Sequence, residues 1–264
     1  LGSFKLTDLS ETEQLVQILP QTVADRCFPS LRATPVRRPQ IGLPSLPLLG
    51  RDRESAELLQ ALRQGHRQIL LKGPPGMGKS HLAKSVTSAF QRETSLAGIE
   101  LTLTDQGDLE TVLTQVGSSL GLPLGKLQGS DGVEAQIPHA IRAQGKAIIL
   151  IHDWDQLEPR ALGVLQRWHD EIDSICLLFT GQGHPDSSSF FTITLGPVDA
   201  DGAVDIFVDS ARRQLGGFSP SAADQKAIAQ MGEELDGSPL AIRLTAGRLK
   251  ELRPNEILNL LPQH

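Results

Sequence analysis

From residue 48 onward the chain alternates short apolar runs with segments whose apolar residues recur every three to four positions. The runs at 68–71, 99–103, 147–151, 175–180 and 191–195 have strand length. The middle one, Ala147-Ile148-Ile149-Leu150-Ile151, is apolar throughout, as a strand covered on both faces must be. Between and around them, 54–63, 79–92, 109–120, 135–144 and 159–172 carry helical periodicity, with Gly73 closing a strand and Gly121 a helix. Strand and helix in strict alternation predict an α/β fold, a parallel sheet sandwiched by helices.

After Pro197 the strand signals stop. Segments 200–214, 221–231, 239–252 and 255–261 read as four helices, punctuated by Gly216-Gly217, Gly237 and Pro254. They predict a small all-helical subdomain, of a size that leaves little core of its own. The first 47 residues differ again. Leu9, Leu15, Val16, Ile18 and Leu19 predict one short amphipathic helix over 7–19, and six prolines between positions 20 and 47 predict an extended linker or wrapping arm. Leu1-Gly2-Ser3 resembles the scar of a removed fusion tag. The partition expected is thus 1–47, 48–197 and 198–264.

Composition changes this picture little. Phe, Trp and Tyr make up only 4% of the 264 residues, so the core must be aliphatic, which disfavours an all-β sandwich. The net charge is −6, and residues 1–47 hold five basic and four acidic side chains, so the negative balance belongs to 48–264. That balance argues against a protein that coats nucleic acid. Cys27 and Cys176 offer neither a disulfide framework nor zinc spacing, and no apolar stretch approaches the roughly 20 residues of a membrane helix. A cytoplasmic location is the expectation.

The sharpest chemical signal is Gly73-Pro74-Pro75-Gly76-Met77-Gly78-Lys79-Ser80, a G-x-x-x-x-G-K-[ST] loop with a strand before it and a helix after it. Its glycines let the backbone wrap a phosphate with several N–H groups pointing inward, and the following helix presents its positive end to the same anion. Lys79 is expected to neutralise the β- and γ-phosphates, the Ser80 hydroxyl to complete a Mg²⁺ shell, and His81 to follow on the same turn.

Hydrolysis needs, in addition, an acidic group at the end of a neighbouring strand. Ala147 to Asp155 supplies a strand and then acids. If the metal-side group directly follows the strand, it is His152; if the strand runs one residue longer, it is Asp153. Asp155 is then the candidate carboxylate that activates water, with plain capping of an exposed strand end as the alternative.

These features together resemble the STAND class of P-loop NTPases, signal-transduction ATPases related to NB-ARC and NACHT modules, across 48–264. Leu48-Leu49-Gly50-Arg51-Asp52-Arg53-Glu54 is similar to the family's hhGRxxE motif, which implies that Leu49, Gly50 and Arg51 help hold adenine. Leu235 to Ile242 is similar to its GxP motif, which implies that Pro239 packs against the base. Two positions depart from the pattern: His152 stands where the metal-side Asp is usual, and Gly181-Gln182-Gly183 offers a neutral γ-phosphate sensor where many relatives carry Arg.

The resemblance implies a switch that binds ATP or ADP with Mg²⁺, hydrolyses slowly or not at all, forms a homo-oligomer when activated, and serves bacterial defence or signalling. Effector and sensor domains are expected outside this segment. The competing readings are a scaffold that holds ADP without cycling and an AAA+-type regulator of DNA.

Overall fold

The computed structural model describes residues 2–5, 12–15, 34–35, 38–103, 107–122, 129–183 and 190–261. Five parallel strands form the central sheet: β4 (Gln68–Lys72), β5 (Ala97–Leu101), β6 (Ala147–Ile151), β7 (Ile175–Gly181) and β8 (Phe191–Thr194), in the spatial order β5-β6-β7-β4-β8. Three shorter strands, β1 (Gly2–Lys5), β2 (Thr12–Leu15) and β3 (Thr34–Pro35), pair antiparallel in a separate sheet ordered β2-β1-β3.

Period-two alternation divides the central strands between two cores. Ile149, Ile151, Leu177, Phe179 and Leu70 face α3 (Leu109–Ser119), α4 (Gly129–Gln144) and α5 (Pro159–Glu171). Ile148, Leu150, Leu178, Ile69, Leu71 and Ile193 face α1 (Asp52–Gln64) and α2 (Lys79–Thr94). All five residues of β6 are buried, as its unbroken apolar run requires. Helix ends follow local chemistry: Asp108 and Asp199 accept from backbone N–H groups to cap α3 and α6, and Pro159 opens α5.

The sheet gives way to α6 (Ala200–Leu215), α7 (Ala222–Glu234), α8 (Pro239–Ala246) and α9 (Pro254–Leu260), with a 3₁₀ turn at Gly247–Lys250 closing α8. Their shared core is Ala203, Ile206, Phe207, Ile228, Met231, Ile242 and Ile257. A capping box joins Ser221 and Asp224 at the start of α7.

Three expectations need correction. Thr12–Leu15, inside the helix expected over 7–19, is a strand, because pairing with Gly2–Lys5 satisfies its backbone where a lone short helix is marginal; the remainder of 7–19 lies outside the described residues. Gly2 and Ser3, set aside as part of a tag scar, belong to the strand Gly2–Lys5 at the centre of that sheet. The acid-bearing strand β6 is also not the neighbour of the loop-bearing strand β4, since β7 lies between them.

Residues 38–47 of the proline-rich arm wrap α2. Arg38 donates to the Ser95 carbonyl, the Pro39 carbonyl accepts from Gly98 N–H at 2.8 Å, and Ile41 N–H donates to Gln91 Oε1 at 2.9 Å. At the other end, the Pro47 carbonyl reaches the first turn of α2. Cys176, on β7, is a free thiol that burial pushes up to about 12, so it is chemically inert near neutrality. Among the described residues, no helix is long and apolar enough to cross a membrane.

Candidate nucleotide site

The glycine-rich loop leaves β4 and enters α2. Gly73 N–H donates to the Gly181 carbonyl at 3.2 Å, which ties the loop to the end of β7. Gly76 and Gly78 both have positive φ, at 79° and 85°, and Gly78 is the N-cap of α2. Glycine at 76 is required for a second reason: a Cβ there would sit 2.9 Å from Ser238 Oγ and 3.3 Å from Leu240 Cβ. Pro74 and Pro75 are exposed, whereas Met77 anchors the loop in the core beneath α1 and α2.

Lys79 is buried, and its Nζ donates to the Gly73 and Pro74 carbonyls at 2.9 Å each. Burial lowers its pKa, while the nearby charges of Asp153 and Asp155 pull it back up. A buried ammonium whose local partners are neutral carbonyls is well prepared for a phosphate anion. Ser80 Oγ lies 3.4 Å from Thr180 Oγ1, and Thr180 Oγ1 accepts from Asp153 N–H at 3.2 Å. Thr180, the fully buried polar residue near the end of β7, thus joins the helix that carries Ser80 to the turn after β6.

That turn brings the three candidate groups into distinct settings. His152 directly follows β6 and is buried. Asp153 is exposed and left-handed at φ 49°, an unusual conformation that Asp tolerates better than most residues. Asp155 is exposed as well, and its carboxylate accepts from the N–H groups of Gln182 and Gly183 at 3.0–3.1 Å. The arrangement attaches the turn after β6 to the end of β7.

The segment before α1 lies on a seam. Leu48 packs on the core of α1 and α2, Leu49 on the core of α6 to α9. Gly50 has φ 64° and approaches Gly202 of α6 so closely that a Cβ would lie 3.0 Å from the Gly202 Cα. Arg51 is 4% exposed and joins three elements: it donates to the Met77 carbonyl at 3.1 Å, to the Gly196 carbonyl at 2.6 Å, and to Glu54 Oε1 at 2.7 Å. Its side chain is therefore committed within the protein.

From the other side, α8 starts on the loop itself. Ser238 caps α8, half-buried Pro239 is its first residue, and Leu240 N–H donates to the Gly76 carbonyl at 3.2 Å. One turn later, Arg243 reaches the Pro47 carbonyl at 3.5 Å, the same oxygen that His81 Nε2 contacts at 3.2 Å. Burial lowers the His81 pKa, and Arg243 lowers it further against the effect of the Pro47 bond. Helix α8, the arm and the loop-bearing helix thus converge on one strip of backbone.

The nucleotide expected from the loop fits this arrangement: the cradle of Gly76 to Ser80 is formed, and its lysine is buried and local. A Mg²⁺ ion would find Ser80 Oγ as its protein oxygen and would supply charge neutralisation at the phosphates. Among the described residues, no group of three or more His, Cys, Asp and Glu could hold a metal ion. Thr180, Glu100, Leu240 and Arg243 were not among the residues that sequence reasoning put in the site. Thr180 alone had a visible signal, as a polar residue ending an apolar strand.

Comparison with known proteins agrees with the fold. The model of a family described as an AAA domain matches residues 62–186. An uncharacterized protein of Mycobacterium tuberculosis is 25% identical over 201 residues, 76% of this chain and 50% of that protein. A candidate HTH-type transcriptional regulator of the same organism is 24% identical over 204 residues, 75% of this chain and 22% of its own length. The chain therefore spans about half the length of the first of these relatives and less of the second. Among solved structures, Cdc6p of Pyrobaculum aerophilum superposes with a TM-score of 0.65 at 19% identity, covering 81% of this chain and 65% of its own. The chain has the fold of a P-loop NTPase, AAA-like in its five-stranded parallel sheet and followed by a helical region.

Proposed function

We propose that this chain is the nucleotide-operated switch of a larger regulator, of the STAND kind, in which α6 to α9 act as a lid. ADP or ATP would lie with its phosphates on Gly76 to Ser80 and its base near Gly50 and Pro239. The observation that carries the reading is the hydrogen bond from Leu240 N–H to the Gly76 carbonyl, which puts the lid helix in direct contact with the phosphate loop. A loop that changes shape around a phosphate then changes the lid's docking surface, and a ligand that prefers one arrangement shifts the population toward it.

Hydrolysis in this reading is slow, with Asp153 as the candidate acid near Lys79, and Asp155 positioning the end of β7 where Gln182 sits. Release of the lid would free surface for assembly with further copies. The name of the mycobacterial relative supports transcriptional control as the output of the full-length protein. The same relative keeps open an AAA+-type action on DNA, which a salt-sensitive affinity for duplex DNA would reveal.

Isothermal titration with ADP and with ATP tests the reading. Saturable binding is expected, and Lys79→Ala should weaken it by about 100-fold by removing the buried cation. Failure of both nucleotides to bind at millimolar concentration would overturn it.

A further inference from the structure

Helix α8 spends one face on the lid and leaves the opposite one apolar and open. Ile242 and Ala246 point into the lid core. Leu240 is 53% exposed and Leu244 70% exposed, four residues apart and therefore on one face of an eight-residue helix. Single exposed leucines are ordinary, but two in register form a ridge that a partner can cover.

The border of this ridge is charged, with an excess of one sign. Arg248, exposed on the 3₁₀ turn, stands four residues beyond Leu244, and exposed Lys250 follows it. Neither side chain forms an ion pair among the described residues. On the flank toward α6, Arg213 and Arg243 share the carboxylate of Asp209, at 2.9 and 3.8 Å. The last turn of α6, which carries exposed Arg212, meets the end of α8 where a Cβ on Gly247 would lie 3.4 Å from Gln214 Oε1. The carboxylates nearby along these segments are Asp205, Asp209 and Glu251, so cations outnumber them in a chain whose net charge is −6.

The two features together select the occupant. A nucleic-acid backbone would match the cations and leave the leucines uncovered. A second copy meeting this face through two-fold symmetry would set basic border against basic border. An amphipathic helix with leucines on one stripe and acids beside it matches both the ridge and its border. We propose that the ridge of Leu240 and Leu244 is a docking surface for an acidic amphipathic helix of a partner protein, whose carboxylates are met by Arg213, Arg243 and Arg248. Leu240 ties this surface to the phosphate loop, since its N–H donates to the Gly76 carbonyl and a Cβ on Gly76 would lie 3.3 Å from its own. Partner and nucleotide then bias one another by the same factor in either direction. That coupling rests on the nucleotide-binding reading above; the docking surface does not.

The test is fluorescence anisotropy of the whole chain with a labelled peptide of about 18 residues, about five helical turns, with leucine at every third or fourth position and glutamate and alanine elsewhere. One control shuffles the same residues so that the leucines share no face, and another replaces glutamate with lysine. The first peptide should bind saturably, less tightly as salt is added, and the controls should not. Leu244→Ser should weaken it at least about ten-fold and Arg248→Glu at least about three-fold. Should Leu244→Ser disturb α8, Arg248→Glu and the two control peptides decide. Equal binding of either control, affinity unchanged in both variants, or no binding at about 0.1 mM peptide would overturn the proposal. So would self-association of the chain that Leu244→Ser abolishes, which would assign the ridge to a second copy, or displacement of the peptide by duplex DNA. Saturating ADP should shift the peptide's affinity by at least about five-fold. An unchanged affinity with ADP bound would overturn the coupling alone, and failure of ADP to bind would overturn the nucleotide reading and leave the docking surface standing.

Discussion

The α/β unit and the helical lid meet at the same loop yet are built to different standards of burial. In the sheet, Leu70, Ile149, Leu177 and Phe179 have no exposure at all, and helices cover both faces. The lid has one small core around Phe207, Ile228 and Met231, and it carries Leu215, Leu240, Leu244 and Leu260 exposed to solvent, four of the five large apolar residues so exposed among those described. A unit with less buried apolar surface opens at lower cost. In the proposed switch the sheet would be the fixed part and the lid the moving part, with Arg51 and the start of α8 as the joints.

The strongest way to break this comparison is to attack the rigid side. Phe179→Ala should cost about 3–5 kcal/mol, and, because the lid docks on a loop that the sheet holds, it should lower the denaturation midpoint of both units together. Urea unfolding followed by circular dichroism and by the fluorescence of Trp154 and Trp168, both in the α/β unit, checks this; a lid that keeps its own circular-dichroism transition unchanged would contradict the coupling. Arg51→Ala acts at the joint. It leaves the Met77 and Gly196 carbonyls without their buried donor, at about 1–3 kcal/mol each, and limited proteolysis should cut between Gly196 and α6 much faster than in the parent chain. Ser238→Ala sharpens the comparison most gently. Loss of a cap bond that is already long, 3.4 Å, should cost about 0.5–1 kcal/mol, felt as faster amide exchange in α8 with no change in the sheet.

Most of the architecture was legible because it depends on local pattern. The apolar run of β6 and the glycine loop each declare themselves within a few residues. What sequence reading missed depends on contacts distant along the chain. Arg51 bonds to Gly196, 145 residues away, and its role as a link between loop and lid has no local signature. The pairing of Glu100 with His152 spans 52 residues, so the histidine reads in sequence as a missing acid and in the fold as a buried ring held against Glu100. The strand at Thr12–Leu15 defeated a helical pattern because its partners lie elsewhere in the chain. Strand order likewise follows from topology, which is why β7 stands between the two strands expected to be neighbours.

The central claim is that the lid reads the phosphate loop through the contact between Leu240 and Gly76. Hydrogen–deuterium exchange with and without saturating ADP tests it most directly. The account predicts that amides of 76–82 and of 238–243 gain protection together when ADP binds, and that both gains disappear in Lys79→Ala. Protection of the loop on ADP binding with unchanged exchange across 238–243 would contradict it.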